Sequence, residues 1–406
     1  MRVLFISSDF PSDLQLKVHG VYKRMRMFVD AIKQIAQLDI LFYVSPELDI
    51  SQANVAEIEH FLSQFWDAKI TLFLCPIFKQ QVRLSPLQNY LSRIFSFFKQ
   101  TKYISTSGTQ QVQALDECLS RKPDAVFVHR LKSMCPCLLT RKALPPIFFD
   151  LDDIEHIAFT RSLGQPPKKR TRFLSYLQIP ALWWGEYRAM RLAKQTFVCS
   201  EKDRHYLTQQ LKLPGIVCIP NAVTIPNLQP VTDKPTLMFL GSYTYLPNVN
   251  AAEFLIEEVW PHIYQVMPEA QLIIAGGSPN KIRNYSTGVS GVEFTDFVSD
   301  LDILYQRSRV VCCPILSGGG TRIKILEAAA YGKPIVSTKI GSEGIEMNDG
   351  QEILLRDEAK LFAQACLDLL KNSALCEQLG LAAREVVIHK YNRDRTLQLI
   401  QQYIKT

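Results

Sequence analysis

Residues 310–346 read VVCCPILSGGGTRIKILEAAAYGKPIVSTKIGSEGIE, and the reading of this stretch decides the fold. Val310 to Leu316 is a short apolar run of β-branched and small residues, with the length and composition of a strand buried on both faces. Gly318, Gly319 and Gly320 permit a tight turn and keep any Cβ away from an approaching ligand. Thr321 is placed to cap a helix that runs through Arg322, Ile323, Lys324, Ile325, Leu326, Glu327 and three alanines. Gly332 and Pro334 end it, and Ile335 and Val336 begin the next strand. Strand, glycine turn and helix N-terminus together make an anion site, because unpaired N–H groups and the helix dipole converge there. Arg322 and Lys324 on the first turn work against that dipole unless something anionic lies beside them. The stretch therefore reads as a cradle for a phosphate or diphosphate. An ordinary strand-to-helix connection is the competing reading of any glycine run.

The pattern recurs on both sides. At 406 residues the chain is too long for one ordinary core and calls for two domains. Arg2 to Ser7 is a strand, Ser8 to His19 a polar loop, and Gly20 precedes a helix from Val21 to Gln34 with Val21, Met25, Phe28, Val29 and Ile32 on one face. Asp39 to Val44 is the second strand, which completes a parallel βαβ unit without the GxGxxG of a dinucleotide site. Further buried strands are expected at Ile70–Cys75, Ala125–His129, Ile147–Leu151, Thr196–Cys199 and Gly215–Ile219. Residues 223–235, with three prolines and no periodicity, form the linker. The rhythm then restarts: strand Thr236–Leu240, the Gly241-Ser242 turn, helix Val249–Val266, strand Gln271–Ala275, a short strand at Val292–Phe294 and a helix at Leu301–Gln306 lead into the stretch quoted above. Helices at 359–371, 373–390 and 393–405 close the chain.

Composition limits the function classes. Apolar content of 47% and charge of 21% are those of a folded globular protein. The formal net charge of +7 is concentrated in the first half, which suits nucleic acid, an anionic membrane surface or an anionic substrate. Neither an export signal nor a membrane-length run is expected, which favours a cytoplasmic protein. Ten cysteines and seven histidines show no metal-ligand spacing, so the thiols read as reduced core residues and no metal site is expected. Residues 84–106 carry Phe95, Phe97, Phe98 and Tyr103 among Arg93, Lys99 and Lys102, a pattern that suits either a membrane surface or a core-facing helix. The basic loop at 164–173 and the Trp183-Trp184 pair lie beyond it. Asp150, Leu151, Asp152 and Asp153 end a parallel strand, where acidic side chains either face a ligand crevice or cap a helix.

The segment GGGTRIKILEAAAYGKPIVSTKIGSEGI resembles the donor-binding signature of family-4 retaining glycosyltransferases of the GT-B fold. So do GSYTYLPNVNAAEFLIEEVWP and the Ile219-Pro220-Asn221 strand end. The nearest branch carries GTR-x-K-x-LEA and is associated with exopolysaccharide and glycan biosynthesis. The resemblance covers about 196–390 and implies an α/β GT-B protein, two Rossmann-like parallel-sheet domains facing across a cleft. Residues 1–226 form the acceptor domain, with the helix 391–406 packing back on it, and 227–390 the nucleotide-sugar domain. Glu327 falls on the second glutamate of the E-x7-E motif, expected on the ribose hydroxyls. Arg322 and Lys324, with backbone N–H groups of Gly320 and Thr321, would hold the diphosphate and sugar. Gly20 and Gly241 correspond to the glycine loops, and Phe297 and Val298 to the base contact. The sequence departs from the family at Gly319, where the first glutamate is expected, and at Gly241–Tyr245, which lacks the usual Arg and Lys.

The resemblance implies a UDP- or GDP-sugar donor, a glycan or lipid-linked acceptor, no cofactor, no metal and no nucleic-acid partner. Arg322 and Lys324 would stabilise charge on the departing phosphate, and Asp152 is the expected catalytic residue on the acceptor side, with Asp150 and His129 behind it. A nucleotide-sugar epimerase of the same fold, a non-catalytic nucleotide-sugar scaffold and a nucleic-acid binder are the rivals.

Overall fold

The computed structural model describes residues 1–11, 20–77, 106–164, 176, 178–228, 232–298 and 300–405. Apart from their end residues, the expected helix at 84–106 and basic loop at 164–173 lie outside these. Two units result: Met1–Asp13, Arg24–Pro220 and Leu397–Thr406 make the first, and Leu14–Lys23 and Asn221–Thr396 the second.

Apolar runs that cannot tolerate water on either face form the centre of each unit. In the first, β1 (Arg2–Ser7), β2 (Gln37–Val44), β3 (Ile70–Pro76), β4 (Ala125–His129), β5 (Ile147–Asp152), β6 (Gln195–Val198) and β7 (Ile216–Cys218) line up as β3-β2-β1-β4-β5-β6-β7. The described pairings are all parallel, with Val3 opposite Leu38 on one side and Ala125 on the other. The helix α1 (Gly20–Ile32) places Met25, Phe28, Val29 and Ile32 in the core, the helical spacing read from the sequence. Phe28 lies 4.7 Å from the ring of Phe127 and 5.6 Å from that of Phe197, so one helix residue bridges two strands. Further helices of this unit are α2 (Gln52–Phe65), α3 (Thr109–Ser120), α4 (Leu131–Leu139), α5 (Glu155–Leu163), α6 (Ile179–Leu192) and α7 (Glu201–His205). Trp183 and Trp184 stand on α6, with Trp184 exposed and both rings against Tyr187.

The second unit repeats the order. Its strands β8 (Thr236–Leu240), β9 (Gln271–Ala275), β10 (Val292–Thr295), β11 (Val310–Cys313), β12 (Ile335–Ser337) and β13 (Leu354–Leu355) align as β10-β9-β8-β11-β12-β13. The expected helix at 249–266 begins earlier, as α8 (Leu246–Phe254), and passes through a π turn at Leu255–Val259 into α9 (Trp260–Val266). Pro261 has no N–H to give to a regular ladder, which accounts for the change of pitch. The remaining helices are α10 (Leu301–Arg307), α11 (Ile323–Ala330), α12 (Ala359–Lys371), α13 (Ser373–Lys390) and α14 (Arg393–Lys405). Residues Leu397–Thr406 group with the first unit, where Gln401 donates to the carbonyl of Ala31 at 3.2 Å. The 223–235 linker is shorter than its composition suggested. Val223 is already tied into the second unit, donating to Tyr391 O at 2.9 Å and accepting from Arg393 N at 3.1 Å.

Both sheets reverse strand order beside their first strand, between β1 and β4 and between β8 and β11. At such switch points two loops diverge and leave a crevice at the strands' carboxyl ends. Gly276 locks one wall of the second crevice. Its φ is +130°, and a Cβ there would lie 1.9 Å from the carbonyl oxygen of Gly241. We predict that Gly276→Ala costs about 2–4 kcal/mol of stability, read by urea unfolding. A loss under about 0.5 kcal/mol would show that the two turns separate freely.

Candidate functional site

The second crevice is built from the turns after β8 and β11. The expected strand to Leu316 stops at Cys313, and the next residues form a loop with Gly318 at φ +110° and Gly320 at +67°. Helix α11 starts later than the sequence suggested, with Arg322 rather than Thr321 at the N-cap and no side-chain cap bond. Thr321 is turned elsewhere: its hydroxyl accepts from Asn221 Nδ2 at 2.7 Å. The correction has a chemical consequence, since an uncapped first turn keeps its N–H groups for a ligand.

The two cations are held differently. Arg322 Nη1 donates to the carbonyls of Gly319 and Gly320, so the guanidinium braces the glycine loop. Its Nη2 is shielded from solvent and has no hydrogen-bond partner among the described residues. A Cβ on Gly318 would meet Tyr245 Oη at 2.9 Å and Arg322 Nη2 at 3.3 Å, so this glycine preserves the space between those two donors. Lys324 Nζ donates to Asn248 Oδ1 at 3.0 Å and lies 4.4 Å from the centroid of Phe239. Burial, together with the like charge of Arg322, lowers its pKa to about 8 against the pull of Glu327. Gly241 roofs this ammonium: a Cβ there would stand 3.1 Å from Nζ.

Glu327, one turn further along α11, is half-buried and ion-paired with Lys23, which groups with this unit. Gly20, the expected first glycine loop, is the first residue of α1 and also groups here. Phe297 and Val298 follow β10 at its carboxyl end. Phe297 N donates to Asp296 Oδ1 at 2.7 Å, and Val298 packs on the unit's core. The structure thus gathers Gly241, Gly319, Gly320, Thr321, Arg322 and Lys324 around one crevice. Sequence reasoning missed Asn248 and Tyr245. Nothing in a linear reading joins residue 248 to residue 324.

The first crevice carries a different arrangement. Asp150, fully buried at the end of β5, accepts from Arg24 Nη2 at 2.6 Å and Nε at 3.0 Å. Arg24 Nη1 also donates to Ile219 O at 3.0 Å. Burial pushes the Asp150 carboxyl up to about 6 against the attraction of Arg24. Asp152, with φ +61°, lies 3.3 Å from Arg24 Nε and 3.9 Å from Arg130 Nε. Arg130 also reaches Asp9 at 3.9 Å. His129 Nδ1 is 3.1 Å from Ser7 Oγ, and its Nε2 has no hydrogen-bond partner among the described residues. Burial first, then Arg130 and Arg24, push its pKa well below the ordinary value, so the imidazole is neutral. Asp152 therefore sits where the sequence placed it, yet as a member of an ion-pair network whose two arginines the sequence reading did not single out. Among the described residues Asp152, Asp153 and Cys199 bring ligand atoms within 4.8 Å of one another. Against a cation stand the two guanidinium groups already on Asp152 and a buried thiol held well above its ordinary pKa.

Residues 234–372 match the family described as Glycosyl transferases group 1. An uncharacterized 44.6 kDa protein in the cps region of Klebsiella pneumoniae is 23% identical over 172 residues, 40% of this chain and 44% of that protein. The phosphatidyl-myo-inositol mannosyltransferase of Mycobacterium leprae (strain TN) is 26% identical over 184 residues, 42% of this chain and 48% of that protein. The chain thus spans under half the length of the curated relatives it matches. The structure of Anabaena Alr3699/HepE in complex with UDP-glucose is similar across 100% of this chain and 99% of that one, with a TM-score of 0.67 at 14% identity. At that identity the likeness carries the fold: two Rossmann-like parallel-sheet domains of the GT-B class. Among the described residues no helix is long and apolar enough to cross a membrane.

The buried Arg24 network yields a stability prediction. Arg24→Met leaves the Asp150 carboxylate buried without its partner, at a cost of about 3–5 kcal/mol at pH 8. In the parent the raised carboxyl is ionised above about 6; without Arg24, which holds it down, it rises further, so above pH 6 the variant goes on losing stability where the parent does not. The deficit should therefore shrink on acidification to pH 5. Denaturant unfolding at both pH values checks this, and a deficit independent of pH would assign the loss to packing alone.

Proposed function

We propose that this chain is a retaining glycosyltransferase that moves a sugar from a nucleoside-diphosphate sugar to a hydroxyl of a glycan or lipid-linked acceptor. The observation that carries the proposal is a pair of cations, Arg322 and Lys324, beside a glycine loop and an uncapped helix N-terminus at a sheet switch point. That arrangement lies in the segment matching the glycosyl transferases group 1 family. A UDP-glucose-bound neighbour and a mannosyltransferase relative support the substrate class. The relative from a cps region supports a role in polysaccharide synthesis.

In the proposed reaction the bond between the anomeric carbon and the β-phosphate oxygen breaks, and the acceptor oxygen forms the new bond on the same face. The acceptor's proton passes to the departing phosphate. Arg322, Lys324 and the first-turn N–H groups face the charge that grows on that phosphate, which stabilises the transition state more than the bound donor. Glu327 would bind the ribose hydroxyls, with Gly20 and Gly241 close to the diphosphate and Phe297 and Val298 at the base. In the first unit, Asp152 would face the acceptor hydroxyl. The reaction so written needs no metal. A lipid-linked acceptor would bring the basic first half to an anionic membrane surface on its cytoplasmic side.

The test is a thermal-shift panel of UDP, GDP and their sugars, since a ligand that binds only the native state raises the midpoint. Transfer assays with oligosaccharide and lipid-linked acceptors follow, with and without EDTA. Transfer with retained anomeric configuration and unchanged rate in EDTA is expected. Conversion of donor without any acceptor would indicate an epimerase instead, and binding without turnover a scaffold. Arg322→Ala should lower turnover about 100-fold while the unfolding midpoint stays near that of the parent. Near-parental turnover would remove Arg322 from the machinery.

A further inference from the structure

Asn248 belongs to no function assigned above, yet it is the sole hydrogen-bond partner of Lys324 Nζ among the described residues. Its own orientation is fixed. Asn248 Nδ2 donates to the carbonyl of Ser242 at 2.9 Å, and a carbonyl cannot accept from an amide oxygen, so Oδ1 must face the ammonium. The fit is close on the third side as well. A Cβ on Gly241 would lie 2.9 Å from Asn248 Cγ and 3.1 Å from Lys324 Nζ. Turn, amide and ammonium thus interlock at the carboxyl end of β8.

The surroundings of Nζ explain why an amide stands there. From β8 it faces the ring of Phe239 and the backbone of Gly241. From α8 it faces neutral Asn248, and from β11 the thiol of Cys313, which burial holds in its neutral form. From α11 and its N-cap it feels Arg322, of like charge, and Glu327, which is already paired with Lys23. No carboxylate lies within ion-pair distance of Lys324 among the described residues. An ammonium has three N–H groups and Asn248 takes one of them, so the rest of its charge is left for a ligand.

We propose that Asn248 is a positioning residue that tethers the Lys324 ammonium under the Gly241 turn without neutralising it, and so keeps it available to the donor's diphosphate. This rests on the nucleotide-sugar reading given above. A carboxylate at the same position would tether Lys324 equally well but satisfy its charge, and an alanine would leave it untethered. The two losses have different signatures.

The discriminating variant is Asn248→Asp, nearly isosteric with the parent, with Asn248→Ala beside it in case the first fails to fold. Two measurements are made on the full chain. One is the titration of Lys324 by NMR with 13Cε-labelled lysine, assigned with Lys324→Arg. The other is calorimetric binding of UDP-glucose and GDP-mannose between pH 6.5 and 9, a range in which the diphosphate diester does not change charge. The parent should bind one donor most tightly near pH 7 and lose affinity as the pH rises through about 8, where the ammonium deprotonates. Asn248→Asp should bind about tenfold more weakly at pH 7, yet its Lys324 titration and its alkaline loss should both move upward by about one pH unit or more. Asn248→Ala should weaken binding without any upward movement. An unchanged Lys324 titration in Asn248→Asp overturns the tether, whatever the ligand does. Failure of the parent to bind either donor, with the Lys324 titration still moved by the aspartate, overturns the donor reading and leaves the tether standing.

Discussion

One charged group held without a carboxylate partner among the described residues sets the terms for the second unit. Lys324 Nζ lies against an aromatic face, a neutral amide and a glycine backbone. Desolvating an ammonium without an ion partner is costly, and its lowered pKa expresses that cost. The surrounding features follow from accommodating it. Gly241 leaves the room a side chain would take, and Gly276 lets the two turns touch. The buried face of α11, with Ile325, Leu326 and the three alanines, pins the helix that carries the lysine to the sheet. A free cation is tolerable at this point because the sheet, the turns and the helix fix everything around it.

The first unit handles charge in the opposite way. Arg24 is bracketed by Asp150 and Asp152, Arg130 by Asp9 and Asp152, and His129 is kept neutral between them. Among the described residues both of these arginines have a carboxylate partner, and Arg130 and Asp152 both stand at positive φ. Such a network resists rearrangement, because removing one member strands another in a low-dielectric interior. It supplies orientation rather than net charge.

How much of this was legible in the sequence differs by kind of feature. The alternation of buried strands and amphipathic helices was readable because apolar periodicity is a local property: β1, β4, β9 and α1 lie where the residue pattern put them. The glycine loop and the two cations were readable because strand, turn and helix follow one another in the chain. What could not be read was how side chains distant in sequence satisfy one another. Thr321 has the chemistry of a helix cap, but Asn221, a hundred residues away, takes its hydroxyl. Arg24 stands on the amphipathic helix α1, and only the strand order places it over Asp150. The boundary at residue 220 was likewise hidden, since the composition of 223–235 is that of a free linker while Val223 is paired with the far end of the second unit.

The same contrast clarifies Gly319, the position where a glutamate had been expected. Its carbonyl, with that of Gly320, accepts from Arg322, so the glycine loop bends toward the guanidinium rather than offering a side chain of its own. The neighbouring Gly318 in turn leaves space between Arg322 Nη2 and the Tyr245 hydroxyl. Where a carboxylate would have added negative charge to the loop, this chain presents hydrogen-bond donors and a loop held in place by its own arginine. A carboxylate there would also compete for Arg322, whose Nη2 has no hydrogen-bond partner among the described residues. Among the described residues Arg322 and Lys324 are both left without a carboxylate partner: an amide stands at 248, a glycine at 319, and Glu327 is paired with Lys23.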